Sequence, residues 1–240
     1  MKLLDLTFPS PAENLACDEA LLNWCETGRG EEVLRFWESP EYFIVVGYGN
    51  KLCTETNMAA CKTKGIPIYR RCSGGGTVLQ GPGCLNYTLV LKITADGPLR
   101  TIASANRFIM ERNRAAIETI LSKPEIAVRG HTDLCQGDLK FSGNSQRRRK
   151  HFLLFHGTFL LNLNLVLVGE LLPMPSKQPD YRGHRAHGNF LMNLGIPANA
   201  VKDAVRAAWK AEMPLEIVPR NQVACPAHEK YNTEKWNQKF

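Results

Sequence analysis

Residues 70 to 87 read RRCSGGGTVLQGPGCLNY. Two adjacent cations, Arg70 and Arg71, a hydroxyl at Ser73 and bare backbone at Gly74, Gly75 and Gly76 form a set suited to an anion. Guanidinium groups supply the charge, and glycine lets backbone N–H groups approach a ligand with no Cβ in the way. One or two glycines suffice for a hairpin turn, so three in succession favour a ligand-facing loop over a plain turn. The segment lacks G-x-x-x-x-G-K-[ST] and G-x-G-x-x-G, and it joins strand to strand where those motifs open a helix. It is therefore neither a P-loop nor a dinucleotide fingerprint. Farther on, HTDLCQGDLKFSGNSQRR places Asp133, then Lys140 between Leu139 and Phe141, then Ser142 and Gly143. A strand lysine with apolar neighbours points opposite to them. FHGTFLLNLNL sets His156, Gly157 and Thr158 inside an apolar run, a polar break where core is expected. Taken singly, Lys140 fits a solvated strand face and His156 a satisfied core histidine.

The elements that must position these groups are legible from periodicity. Ser10, Pro11 and Glu13 announce a helix start with a capping box, and Ala16, Cys17, Ala20, Leu21 and Trp24 follow at helical spacing. VLRFW and YFIVVG read as neighbouring strands, TNMAACKTKG as a short helix ending at Gly65, and IPIYR as the strand entering the glycine loop. LNYTLVLKI alternates, with Leu85, Tyr87, Leu89 and Leu91 on one face and Asn86, Thr88 and Val90 on the other. A long helix is expected over 101–123, ended by Pro124, then strands in EIAVRG, DLKFSG and HGTFLLNL, and a last helix near 199–211. One α+β domain over 1–240 follows, a central mixed or antiparallel sheet flanked by helices.

Composition narrows the partners. The chain has 240 residues, 44% hydrophobic and 22% charged, which is ordinary for a globular domain. No apolar run reaches the ~18 residues of a membrane helix, and the N-terminus has no signal-peptide core, so a cytoplasmic protein that binds no membrane is expected. Eight cysteines scatter without a C-x-x-C pair, as reduced thiols do. The net charge of +7 and the run QRRRK suit an acidic protein partner. Nucleic acid is disfavoured because no aromatics interleave with those charges.

RRCSGGGTVLQGPGCLNY, GDLKFSGNSQRR and HGTFLLN, in this order, resemble the lipoate–protein ligase A family, part of the wider biotin and lipoate ligase/octanoyltransferase group. The match extends to VVGYGNKLCTETN, with Asn50 where Gln is usual and Glu55 and Asn57 in place, and to KYNTEKWN. The resemblance implies a class II aminoacyl-tRNA-synthetase/biotin-ligase-like fold with a small second sheet and no C-terminal accessory domain, which leaves room for a separate accessory protein. It implies that lipoate and ATP, the latter carrying Mg²⁺, give lipoyl-AMP, which a lysine of an acidic lipoyl-acceptor domain then attacks. The acceptors would be of the 2-oxoacid dehydrogenase E2 or glycine cleavage H protein type. No protein-caged metal is expected.

Carried onto this chain, the resemblance makes Lys140 the catalytic cation contacting acyl carbonyl and phosphate. Arg71 would meet phosphate, Arg70 would share that work or turn to a structural carboxylate, and Ser73, Gly74, Gly75 and Gly76 would cradle the adenylate. Thr77, Val78 and Leu79 would line the adenine and acyl pocket, and Asp133 would stand near metal and phosphates. Asn86, Ser142, Gly143, His156, Gly157 and Thr158 would complete the binding site. Gln80 departs from the family's usual His and cannot titrate near neutrality, and Thr132 replaces an Asn. The alternative is an octanoyltransferase that works through a cysteine thioester without ATP. In the octanoyltransferases most like this chain, that cysteine lies two residues before the position of Asp133. Here His131 stands there and Cys135 lies out of register, so the ligase is the expected activity.

Overall fold

A computed structural model describes residues 1–28, 30–121, 125–216, 218 and 220–240. Among them a large sheet of eight strands has the order β11-β1-β2-β6-β10-β9-β8-β7. Its strands are β1 (Lys2–Asp5), β2 (Val33–Trp37), β6 (Cys84–Lys92), β7 (Ile126–Arg129), β8 (Asp133–Gln136), β9 (Leu139–Arg148), β10 (Phe152–Leu160) and β11 (Met213–Pro214). A three-stranded sheet, β4-β3-β5, is built from β3 (Phe43–Val46), β4 (Ile68–Arg70) and β5 (Val78–Gln80). The expected mixed sheet with a small companion is observed. VLRFW and YFIVVG are not neighbours, however. β2 pairs with β1 and β6, whereas β3 pairs with β4 and β5 in the other sheet. A short apolar run reports strand character but not its partner.

Helix α1 (Pro11–Glu26) begins with the predicted capping box, Ser10 Oγ accepting from Glu13 N–H while the Glu13 carboxylate accepts from Ser10 N–H. It is buried nearly all round, packing on one face of the large sheet against Val33, Trp37, Val90 and Leu154. The opposite face, carrying Leu34, Phe36, Leu85, Tyr87, Leu89 and Leu91, meets α4 (Ile102–Glu118) and α6 (Ala198–Trp209) through Ala105, Ile109, Val201 and Val205. Each such buried Ile, Leu or Val contributes roughly 1.5–3 kcal/mol of transfer free energy. Short helices α2 (Leu52–Glu55), α3 (Met58–Thr63) and α5 (Leu165–Leu171) cover the small sheet's other side. Thr101 caps α4. The helix ends at Glu118, before the predicted 123, and Pro124 lies outside the described residues. Among the described residues no helix is long and apolar enough to cross a membrane.

QRRRK, expected to offer its charge to an acidic partner, is largely strand, and its arginines are fastened down. Arg147 donates to Cys72 O at 2.6 Å, Arg148 to Leu99 O at 2.7 Å and Arg149 to Asn23 Oδ1 at 3.1 Å. A free rim needs uncommitted charge, and these guanidinium groups stitch β9 to its neighbours.

Candidate active site

A cleft of about 730 Å³ opens between the two sheets. The sheet register sets what lies along its floor. Asp133 pairs with Gly143, Gly143 with Thr158, Thr158 with Asn86, and Asn86 with Trp37. These residues form one row across five strands, and all line the cleft. A second row, Ser145–His156–Thr88–Arg35, runs beside it.

Lys140 reaches the cleft because of a β-bulge. Counting alternate residues back from Gly143 in a regular strand would put Lys140 on the far face. The register shifts between Leu134 and Cys135, so Leu134 pairs with Ser142 and Cys135 with Lys140. The extra residue lets Phe141 enter the core and returns Lys140 to the cleft side, the re-aiming that bulges perform. The Lys140 ammonium lies 2.8 Å from Asp133 Oδ1 and is 23% exposed. A Cβ on Gly143 would come within 2.7 Å of that nitrogen, so glycine there makes room for it. Asp133 Oδ2 accepts from Tyr181 Oη at 2.7 Å. Burial, and then the Asp133 charge, raise the Tyr181 hydroxyl's pKa, so it remains a donor. The Asp133 carboxylate is thus held from both sides, while the Lys140 ammonium, whose one ion pair among the described residues is Asp133, retains donors for a ligand oxygen.

Of the three loop glycines, the middle one is demanded by its surroundings. Gly75 has φ +88°, and a Cβ there would meet the Arg71 guanidinium. Gly74 and Gly76 have φ values open to any residue and empty space where a Cβ would sit, so their bareness is not required by packing. Gly75, Gly76, Thr77, Val78 and Leu79 line the cleft; Gly74 does not. The two arginines have different tasks from those expected. Arg70 is fully buried and donates to Gly47 O, Tyr48 O and Asn50 O and to the carbonyls of Trp236 and Asn237. It clamps the loop's base to the C-terminal segment and cannot meet an anion. Arg71 lines the cleft but spends its N–H groups on Gly74 O, Gly76 O and Ser73 Oγ. Burial pushes its pKa down to about 10. Both guanidinium groups hold the loop in shape, Arg70 away from the cleft and Arg71 at its wall. Ser142, also expected at the site, is fully buried off the cleft, facing Leu134 in the register.

His156, Gly157 and Thr158 line the cleft. Gly157 is required because a Cβ would collide with the Asn144 side-chain carbonyl. His156 bonds Ser73 Oγ through Nε2 at 2.6 Å and Asp18 Oδ2 through Nδ1 at 3.0 Å, and Asp18 Oδ1 receives Arg35 at 2.6 Å. Serine, histidine and aspartate in this order could suggest a nucleophile. Ser73, however, is 2% exposed, accepts from Arg71 Nε and does not line the cleft. The chain moors the glycine loop to α1. Burial alone would raise the Asp18 pKa, but the His156 bond and the Arg35 charge win and hold it below the usual carboxylate range.

Sequence reasoning passed over Asp18, Tyr181 and the bulge. A signal for Asp18 existed: it and Glu19 are charged residues within an otherwise apolar stretch, ACDEALL, and both are buried. Tyr181 lies in a single 3-10 turn, Asp180–Arg182, too short to show a periodicity that would place it.

A family model for the lipoyl protein ligase A/B catalytic domain matches residues 10–208. The chain belongs to this family. A relative from Geobacillus kaustophilus named octanoyltransferase LipM is 25% identical, aligning 98% of this chain and 97% of its own. A putative lipoate-protein ligase A from Aeropyrum pernix is 30% identical over 71% of this chain and 61% of its own. Among solved structures, a bipartite lipoate protein ligase described with its E2 lipoyl domain from Thermoplasma acidophilum superposes with TM-score 0.82 at 22% identity, covering 99% of this chain and 95% of that one. It shares the family fold. The expected ATP-dependent lipoate ligase is corrected by the sequence relatives: those that align over 95% or more of this chain are named octanoyltransferase.

Proposed function

We propose that this chain is an acyltransferase that moves an octanoyl-class acyl group from a thioester donor to the lysine amine of a lipoyl-type acceptor domain. The observation that carries the reading is the Lys140 ammonium, paired with Asp133 and hung over Gly143 where an apolar cleft opens. The names of the full-length relatives support the transfer chemistry, and the E2 lipoyl domain paired with the Thermoplasma protein supports the acceptor class. A net charge of +7 favours encounter with an acidic domain.

The route is direct. All eight cysteines are described, and none lines the cleft. Cys135 is fully buried, 3.5 Å from Tyr181 Oη, and burial raises its pKa, the reverse of what a nucleophilic thiol needs. The neutral acceptor amine attacks the thioester carbonyl, and the new C–N bond forms as the carbonyl π electrons move onto oxygen. The Lys140 ammonium stabilises that oxyanion, an effect typically of about 10²–10³ in rate. The C–S bond then breaks, and the leaving thiolate takes the proton released by the attacking nitrogen. The acyl chain lies in the apolar part of the cleft against Leu15, Val45 and Leu79.

The test is to mix the protein with octanoyl-acyl carrier protein and a lipoyl domain, without nucleotide, and to weigh the acceptor. One added octanoyl group per acceptor is expected, with no hydroxylamine-labile acyl-enzyme. An unmodified acceptor would overturn the transferase reading; a trapped acyl-enzyme would overturn the direct route.

A further inference from the structure

The deep wall of the cleft is not what a plain alkyl chain requires. Trp37 Nε1, Thr77 Oγ1, Gln80 Oε1 and Asn86 Nδ2 are buried without a hydrogen-bond partner, and all four residues line the cleft. Trp37, Gln80 and Asn86 are 3%, 5% and 4% exposed. Trp37 and Asn86 are register partners on β2 and β6, while Gln80 faces them from the small sheet. Thr158 links the two amides, accepting from Gln80 Nε2 at 2.6 Å and donating to Asn86 Oδ1 at 2.7 Å. Turning both amides over reverses that chain and still leaves one amide N–H₂ and one amide C=O unpaired. Buried polar groups are almost always satisfied, so this cluster points to a ligand group that both donates and accepts.

Its place in the row says which part of the ligand that is. The Lys140 ammonium sits over Gly143 on β9, and Asn86 on β6 is two strands away, roughly 10 Å at the usual strand spacing. That is about the reach of an extended eight-carbon chain whose carbonyl lies at Lys140. Exposure falls in the same direction, from the half-buried Lys140 to the buried Asn86.

We infer that the acyl group this cleft carries bears a hydroxyl on its distal half, received by Asn86, Gln80 and Trp37. This rests on the acyl-transfer reading and narrows its substrate class. A hydroxyl donates once and accepts twice, which matches one N–H each from Trp37 and Asn86 and the Gln80 carbonyl. A distal carboxylate offers Gln80 no donor and would share the cleft with the Asp18 carboxylate. A distal ammonium offers Trp37 and Asn86 no acceptor. A methyl end leaves every one of them unpaired.

The test is calorimetric binding of octanoate, 6-hydroxyoctanoate and 8-hydroxyoctanoate as probes to the intact protein. At least one hydroxy acid is expected to bind about tenfold more tightly than octanoate, a tenfold ratio corresponding to ~1.4 kcal/mol. Asn86→Leu is expected to erase that preference. Should its fold be disturbed, Gln80→Met, which keeps side-chain length and removes the carbonyl, is expected to do the same. Octanoate binding as tightly as both hydroxy acids would overturn the inference and leave the acyl-transfer reading intact, since the wall would then simply be hydrated. Failure of all three acids to bind would overturn both.

Discussion

Two cation–carboxylate pairs lie on the same face of the large sheet. Arg35–Asp18 is 2.6 Å apart, and Lys140–Asp133 is 2.8 Å apart. The lengths do not separate them; their surroundings do. Arg35 and Asp18 are sealed in, and their remaining hydrogen-bonding capacity goes largely to Asn14, Leu6 and His156. Lys140 is partly exposed, and its carboxylate partner is held on the other oxygen by Tyr181, while Asp133 is the ammonium's one ion pair among the described residues. A buried pair whose charged groups are spent on the protein itself, with Arg35 Nε alone of that guanidinium left unpaired, serves structure. A pair that keeps a charged donor unspent at a cleft can serve chemistry.

The comparison breaks most severely at Asp18. Asp18→Ala leaves the Arg35 charge buried without its partner and is expected to destabilise the fold by about 3–5 kcal/mol, measured by urea unfolding. The sign with pH follows from its held-down pKa. The ion pair stabilises the fold above the ordinary carboxylate range, and that contribution is lost as pH falls through the folded value. Asp18→Asn should therefore flatten the acid limb of the stability profile.

Lys140→Ala is expected to lower octanoyl transfer by about 10²–10³. Its melting temperature should fall less than that of Asp18→Ala, because Lys140 and Asp133 are 23% and 13% exposed where Arg35 and Asp18 are 0% and 3%. A large loss of stability with retained activity would reverse the roles given to the two pairs. Tyr181→Phe frees one carboxylate oxygen and should cost about 1 kcal/mol in transfer, seen as a several-fold drop in kcat with KM for the acceptor little changed. Cys135→Ala should leave transfer essentially unchanged. A dead Cys135→Ala protein that unfolds normally would move the chemistry onto that thiol.

Much of this was legible in the sequence because local rules govern it. Ser10, Pro11 and Glu13 sit at fixed offsets, and the alternation of residues 85 to 91 assigns faces without knowledge of partners. Lys140 was found by its neighbours, but its route into the cleft was not, since a bulge depends on how β8 and β9 pair. The bonds that the two arginines make within the loop were not legible, for a related reason. Charge type predicts affinity for an oxygen, not whether that oxygen belongs to a ligand or to a backbone carbonyl. Arg70 found its partners in residues 47–50 and 236–237, far away along the chain.

The row Asp133–Gly143–Thr158–Asn86–Trp37 has one more consequence. No segment of the chain holds the binding floor by itself; it exists only once strands from residue 33 to residue 160 have docked in register. Fraying of any central strand would dismantle the floor as a whole. Loss of turnover during denaturation should therefore track loss of the sheet itself, with no compact inactive species in between.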